Sequence, residues 1–412
     1  VGARETVEVT GHLMDSGILS RVLDDIRDYG CDYVIEQFDV GHEAHDPSSA
    51  RITVEAEDDT SLQRLLMRLQ TRGVNQVAVG DALTAEAEVP GVLPDGFYAT
   101  TNLETRVRIG GAWHEVENPA MDCGLVVDEA PAGDVRVRTV PMSDVEAGMR
   151  CVVGASGIRV SVPRPAPVDD GLLAARGGSP TDRPQTVVVR QVADGMRRAR
   201  EAGKRLLWVA GPGVVRTGAS QALVSLVRAG FVDALFGGNA LAAHDVESAL
   251  YGTDLGGEVS AAGVEHGHEH RVRALNTVRK AGSIAAAVEA GVLTSGIMHA
   301  LVTERKRFVL VGSVRDEGPL PDVHTDVLEG LRAMREEIHD VGYCLMLATQ
   351  HHSVATGNIL PATVPLVCVD LDPATVTRLA DRGTHRGRGI VADVGLFLEQ
   401  LSLELVPDYR RA

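Results

Sequence analysis

Three apolar runs in the last third of the chain each end in side chains that can hold charge or move protons. Phe308 to Gly318 finishes on Arg315, Asp316 and Glu317, Tyr343 to His352 finishes on Gln350, His351 and His352, and Pro365 to Asp370 closes on the aspartate. A guanidinium grips a carboxylate through two parallel hydrogen bonds, so Arg315 suits an anionic substrate group, with Asp316 or Glu317 as a base. The competing reading of the same charges is an internal ion pair with loop capping. An acidic residue ending a parallel strand accepts hydrogen bonds from both ribose hydroxyls of NAD and repels the 2′-phosphate of NADP. That is the role read for Asp370; its alternative, a helix N-cap, falls more naturally to Asp372 before Pro373.

Other segments add weaker signals. Gly237-Gly238-Asn239 follows the apolar run Val232 to Phe236; two glycines let a backbone approach a ligand, and the asparagine offers both donor and acceptor. A plain left-handed turn is the alternative. Ser353 to Asn358 can present backbone N–H groups to a phosphate at a helix start. Arg205 to Ala210 runs into Gly211-Pro212-Gly213, but position 216 is arginine where a dinucleotide fingerprint needs glycine, so this motif alone is weak. His266-x-His268-x-His270 would put three imidazoles on one face if extended. With no cysteine nearby and glycine and glutamate around it, the segment reads as a loop, and no metal site is expected.

Continuous apolar runs preceded by helix-like stretches suit strands buried on both faces of a parallel sheet, which binds ligands beyond its carboxyl ends. Residues 187–412 alternate helix and strand in this way and are expected to form a Rossmann-like, doubly wound α/β domain. Residues 1–95 read β-α-β-β-α-β, a ferredoxin-like α+β domain: Ile18, Leu19, Val22, Leu23 and Ile26 share one helical face, and Leu62, Leu65, Leu66 and Leu69 another. Residues 96–165 read as a small β-domain, with a hairpin from Thr105 to Val116 around Gly110-Gly111 and strands at Val135 to Val140 and Ile158 to Val162. The proline- and glycine-rich residues 166–186 form a linker.

The 412 residues suffice for two or three cores. A formal charge of −17 argues against nucleic acid or an anionic membrane as partner. No run approaches the roughly 18 apolar residues of a membrane helix, and no basic-then-apolar leader opens the chain, so a cytoplasmic protein is expected. Cys31, Cys123, Cys151, Cys344 and Cys368 are odd in number and widely spaced, as reduced thiols are. Cys123, with polar and flexible neighbours, is still read as a buried thiol.

Gly11-His-Leu-Met-Asp-Ser16, Glu36-x-Phe-Asp-Val-Gly41 with Asp46-Pro-Ser48, Gly238-Asn-Ala-Leu-Ala242 with His244-Asp245, Ser313 to Pro321 and His352-Ser-Val-Ala-Thr-Gly-Asn358 occur in that order along nearly the whole chain. Together they resemble the archaeal-type ornithine cyclodeaminases, whose domain also forms the C-terminal part of cyanobacterial arginine dihydrolase/ornithine cyclodeaminase fusions. The resemblance implies an NAD-dependent lyase that turns L-ornithine into L-proline and ammonia, with the hydride returned within each turnover. It also implies cofactor contacts at Asn239 and Ala240, at Asp316 and Glu317, at Thr349, Gln350, His351 and His352, at Asp370 for the ribose, and at Asp393 and Val394 on the adenine side. A small amino-acid substrate and a homodimer or homotetramer are expected on the same ground.

Several positions depart from the pattern of these proteins. Arg216 stands for a usual histidine, Glu317 for a usual second aspartate, Arg271 interrupts a usual His-x-His-His, and His351 replaces an apolar residue. Arg216 and His351 change the charge near the expected pocket, so a different basic amino acid is an alternative substrate. A saccharopine- or lysine-type dehydrogenase that releases NADH, or a non-catalytic NAD-binding regulator, would also suit such a chain. No amidinotransferase-like domain occurs in these residues, and arginine hydrolysis is not expected of them.

Overall fold

The structure is a computed structural model describing residues 2–11, 13, 17–41, 46–78, 80–129, 134–162, 185–252, 264–316, 318–381 and 387–410, with backbone alone at 185, 264–268 and 379–381. Its contacts divide into two units, Val1–Ala166 with Asn358–Thr363, and Pro167–Gly357 with Val364–Ala412.

In the first unit, β1 (Ala3–Gly11), α1 (Ile18–Asp28), β2 (Asp32–Asp39), β3 (Ser48–Ala56), α2 (Asp59–Gln70) and β4 (Asn75–Gln76) form an antiparallel sheet of order β2-β3-β1-β4 with its helices. This is the ferredoxin-like arrangement expected from the sequence. Val22, Ile26, Leu62, Leu65, Leu66 and Leu69 are all buried in one core, as their spacing requires. The Asp58 carboxylate caps α2 by accepting the Ser61 N–H. Tyr33 to Val40 alternates in the sequence as a strand, and β2 forms there, with Val34, Ile35 and Phe38 all exposed. β2 is an edge strand paired only with β3.

A second sheet follows, from β5 (Leu83–Glu86), β6 (Glu104–Ile109), β7 (Ala112–Glu117), β8 (Cys123–Glu129), β9 (Val135–Pro141), β10 (Arg150–Val153) and β11 (Ile158–Ser161), in the order β11-β6-β7-β9-β8-β10-β5. Gly110 and Gly111 have φ of 61° and 81°, the positive pair that a tight hairpin turn demands. Cys123 is buried. Asn358–Thr363 packs into this unit: the Met121 N–H donates to Asn358 O, the Asn102 amide to Leu360 O, and Ala362 joins the core around Tyr98 and Leu103.

The second unit carries β12 (Arg205–Ala210), β13 (Ala234–Gly238), β14 (Arg307–Val311), β15 (Val323–His324), β16 (Val341–Leu347), β17 (Leu366–Asp370) and β18 (Gly387–Val391), paired in parallel in the order β15-β14-β13-β12-β16-β17-β18. Apart from the added edge strand β15, this is the Rossmann order, which reverses direction between β12 and β16. Its helices are α3 (Gln185–Glu201), α4 (Gly213–Arg216), α5 (Ser220–Arg228), α6 (Asn239–Tyr251), α7 (Val264–Ala281), α8 (Ile284–Glu289), α9 (Ile297–Thr303), α10 (Val327–Glu337), α11 (His351–Ile359), α12 (Pro373–Asp381) and α13 (Val394–Leu405). The strands are buried on both faces, and burial pushes the Cys344 and Cys368 thiols up, so both behave as small apolar side chains.

One expectation is corrected here. His266-x-His268-x-His270 lies in α7 rather than in a loop. Successive helical residues turn by about 100°, so positions 266, 268 and 270 cannot share one face. The segment is helical because it runs into an apolar face whose Ala274 and Val278 are fully buried. Among the described residues no group of three His, Cys, Asp or Glu converges as metal ligands would, and no helix is long and apolar enough to cross a membrane.

Asp245 on α6 ties this unit together by accepting the Ile297 and Met298 N–H groups at the start of α9, each at 2.7 Å. Its carboxyl is pushed up to about 6 by burial, against the pull of those two donors. A carboxyl raised in the folded state favours folding fully below its unfolded value and loses that contribution as pH rises through about 6. We expect Asp245→Ala to destabilise the fold by about 1–3 kcal/mol through the two orphaned donors. An unchanged denaturant midpoint would remove Asp245 from this role.

Candidate functional site

The carboxyl ends of the parallel strands converge where the sheet order reverses. Gly211 leaves β12 with its N–H on Leu347 O at 2.8 Å, and a Cβ there would lie 2.0 Å from Ala348 O. Only glycine permits that approach. Thr349 packs against the same glycine, and a Cβ at Gly395 would meet Thr217 at 2.9 Å, which brings the start of α13 beside the end of α4. The exits of β12, β16 and β18 are thereby held side by side.

Across β12, the exits of β13 and β14 are joined by one carboxamide. Asn239, 6% exposed at the start of α6, donates from Nδ2 to Asp316 Oδ1 at 2.9 Å and accepts the Leu320 N–H at 3.1 Å. Asp316 Oδ2 accepts from the Ser313 N–H at 2.7 Å and is 3.2 Å from Ser313 Oγ. Three donors therefore occupy the Asp316 carboxylate, and the geometry makes it a clamp on the 313–320 loop. Arg315 is exposed on that loop, and its guanidinium forms no ion pair with a described residue. Glu317 lies outside the described residues.

His352 closes the floor between these exits. Its Cε1 would sit 2.9 Å from a Cβ on Gly238, and its Nε2 lies 3.4 Å from Val311 O. Burial holds its pKa below the usual imidazole value, so the ring is neutral near pH 7 and offers one donor and one acceptor. Thr349 and Gln350 are half-buried beside it, while His351 and Ala240 are exposed.

Asp370 ends β17 half-buried, its Oδ1 accepting the Asp372 N–H at 2.9 Å. Asp372 caps α12 through the Ala374 N–H and Thr375 Oγ1, each at 3.0 Å, as the sequence suggested. That leaves Oδ2 of Asp370 without a hydrogen bond among the described residues. Asp393 caps α13 through the Leu396 N–H at 2.8 Å, and the Val394 side chain is in the core, so only its backbone can meet a ligand. Sequence reasoning gave no role to the Ser313 side chain, which acts through Asp316, or to the Leu320 N–H, which acts through a distant asparagine; it read Ser353 only for its backbone, whereas its hydroxyl is buried with no hydrogen-bond partner among the described residues. The strand-end serine of Ser313-Val-Arg-Asp316, three residues before an aspartate, was the signal available for the first.

Two expectations follow from this geometry. Asn239→Ala should weaken dinucleotide binding by about 1–3 kcal/mol, because the loop after β14 loses its tie to α6; calorimetric titration with NAD+ giving an unaltered affinity would detach this clamp from the site. Arg315→Ala should leave the melting transition within about 0.5 kcal/mol of the parent, since its guanidinium is exposed and pairs with no described residue. A large destabilisation would restore the ion-pair reading.

Comparison with known proteins covers the whole chain. Residues 4–103 match the LOR/SDH bifunctional enzyme conserved region, residues 104–189 the first C-terminal region of the arginine dihydrolase ArgZ-like family, and residues 190–401 its C-terminal Rossmann-fold region. The chain is 43% identical over 401 residues to a Methanothermobacter thermautotrophicus protein named ornithine cyclodeaminase, covering 97% of each. It superposes on the apo crystal structure of the cyanobacterial arginine dihydrolase ArgZ with a TM-score of 0.85 at 35% identity, covering 98% of this chain and 58% of ArgZ. It also matches the ternary complex of AgrE, from Nostoc sp., with ornithine and NAD+, at a TM-score of 0.52 and 36% identity, covering 99% of this chain and 59% of AgrE.

Proposed function

The chain belongs to the archaeal-type ornithine cyclodeaminase family, and from that premise we propose that it is an NAD-dependent enzyme converting L-ornithine, or a close basic amino acid, to L-proline, or the corresponding cyclic imino acid, and ammonia. The observation that carries the reading is the glycine-lined convergence of strand ends at the order reversal, closed by the Asn239–Asp316 clamp. The residues present fit a dinucleotide. Gly211 and Gly238 let Ala348 O and the His352 ring close in, which draws the strand exits together at the crevice, and Asp370 keeps an oxygen without a described partner for a ribose hydroxyl. Asn239, Ala240, Thr349, Gln350, His351, His352, Asp370, Asp393 and the backbone of Val394 would hold it, with Glu317 on the neighbouring loop.

When bound, NAD supplies a hydride acceptor for the substrate Cα and returns that hydride to the cyclic imine, so the sum is redox-neutral. The protein's share is orientation, exclusion of water and proton management. Arg315, without an ion pair to any described residue, receives the substrate carboxylate in the bidentate manner of guanidinium groups. Asp316, bound by three donors, fixes the height of that loop. His352, kept neutral by burial, lines the floor without adding a charge that would repel a cationic amine. Arg216, exposed at the end of α4, adds positive charge at the rim and bears on which basic amino acid is preferred. We also take the protein to be cytoplasmic, to serve proline biosynthesis and to assemble as a homodimer or homotetramer; light scattering giving the mass of one chain would reject the assembly.

The test is to incubate the purified protein with NAD+ and L-ornithine and follow proline, ammonia and NADH together. Proline and ammonia in equal amounts without NADH are expected. NADH accumulating in step with substrate loss would establish a dehydrogenase instead, and tight NAD+ binding without turnover of any diamino acid would favour a regulator.

A further inference from the structure

The His244-Asp245 pair of the sequence splits into two roles. Asp245 is consumed as the cap of α9, whereas His244 makes no contact with that helix start. Its Nδ1 lies 3.5 Å from Glu247 Oε2, three residues further along α6. Glu247 is fully buried, and among the described residues neither its carboxylate oxygens nor His244 Nδ1 has a hydrogen-bond partner. A buried carboxylate without donors is costly, and among the described residues the imidazole of His244 is set against it. His244 itself keeps 6% exposure although Nδ1 is sealed, so the open part of the ring lies elsewhere.

Helix geometry says where. Residues 240, 244 and 247 fall on one face of α6, whose first turn opens at the carboxyl ends of the strands. Side chains of a helix lean toward its N-terminus, so Glu247 leans toward His244, and His244 leans toward exposed Ala240, one turn above at about 5–6 Å between Cβ atoms. With Nδ1 turned down to the carboxylate, Nε2 is the nitrogen turned toward the site.

We propose that His244 is the proton-transfer residue of this site, with Glu247 as its positioning residue, an inference that rests on the cyclodeaminase reading. Once the substrate carbon carries an iminium, His244 Nε2 takes a proton from the distal ammonium. The freed lone pair forms the ring N–Cα bond. That proton then passes from Nε2 to the original α-nitrogen, and the emptied Nε2 takes the second proton of the ring nitrogen, whose lone pair breaks the bond to the α-nitrogen, so that ammonia leaves with a ring iminium behind. Of the two protons the distal ammonium gives up, one departs on ammonia and one is passed from Nε2 to water, and no electron is exchanged in these steps. Asp316, with both oxygens occupied, does not compete for this role. Among residues with described side chains, the other charged or titratable groups on the helices packed against α6 are Arg216 on α4, Glu269, His270, Arg271, Arg273, Arg279 and Lys280 on α7, and His299 on α9.

The experiment compares the parent protein, His244→Ala, His244→Asn and Glu247→Gln for proline formation from ornithine, with NAD+ affinity and melting measured on each. His244→Ala is expected to lower kcat by about 100-fold or more at unchanged NAD+ affinity, with added imidazole restoring turnover in proportion to its free base. His244→Asn is expected to behave likewise without that rescue. Glu247→Gln should lower kcat several-fold at unchanged KM for ornithine and unchanged NAD+ affinity, because the ring loses the group that positions it. A folded His244→Ala as fast as the parent overturns the inference alone, as does a slow variant that imidazole does not rescue while Glu247→Gln keeps the parent kcat. A parent that makes no proline overturns the cyclodeaminase reading itself and this inference with it.

Discussion

The side chain of Asn239 is the constraint on which the rest of the site depends. A single carboxamide spends its donor on Asp316 and its acceptor on the Leu320 N–H, which fixes both ends of the loop after β14 against the first turn of α6. Because Asn239 is almost fully buried, neither bond is traded with water, and losing one partner leaves the other unsatisfied. Asp316 extends the tie to Ser313. Arg315 is thus carried on a loop pinned on both sides of it while its own guanidinium pairs with no described residue.

The same economy governs the other strand exits. Gly211 admits the carbonyl of Ala348 where any Cβ would collide, and Gly238 admits the edge of the His352 ring. These glycines bring backbone, rather than side chains, to the edge where the sheet order reverses, leaving N–H groups and a few polar tips to meet a ligand. Fold and site are therefore one construction: the parallel order sets the crevice, and residues at the strand ends furnish it. The buried pair His244–Glu247 belongs to the layer beneath, on the face of α6 that leads up to the crevice.

Much of this is legible in the sequence. The apolar runs ending in Arg315, Gln350 and Asp370 mark the strand ends because period and polarity change together there, and the leucine spacing in α2 marks a buried helical face. What the sequence does not carry are pairings between distant residues. Asn239 stands out for its glycines, but its partnership with Leu320 and Asp316 spans about eighty positions and has no local pattern. β2 reads as an alternating strand, and alternation alone does not tell that it lies at the sheet edge with Val34, Ile35 and Phe38 exposed. The histidines of α7 read as a loop from their glycine neighbours, and the apolar face formed further along the helix overrides that local signal. Asp393, which the resemblance sets on the adenine side, also caps α13 by accepting the Leu396 N–H, a role its place in the chain did not announce.

The central claim is that one strand-end site removes a hydride from the substrate and gives the same hydride back. It is tested most directly with L-ornithine deuterated at Cα, turned over in light water with a catalytic amount of NAD+, and mass spectrometry of the product. We expect proline carrying the deuterium at its α-carbon and no labelled reduced nucleotide in solution. Proline without deuterium, or label collecting in released nucleotide, would contradict the account.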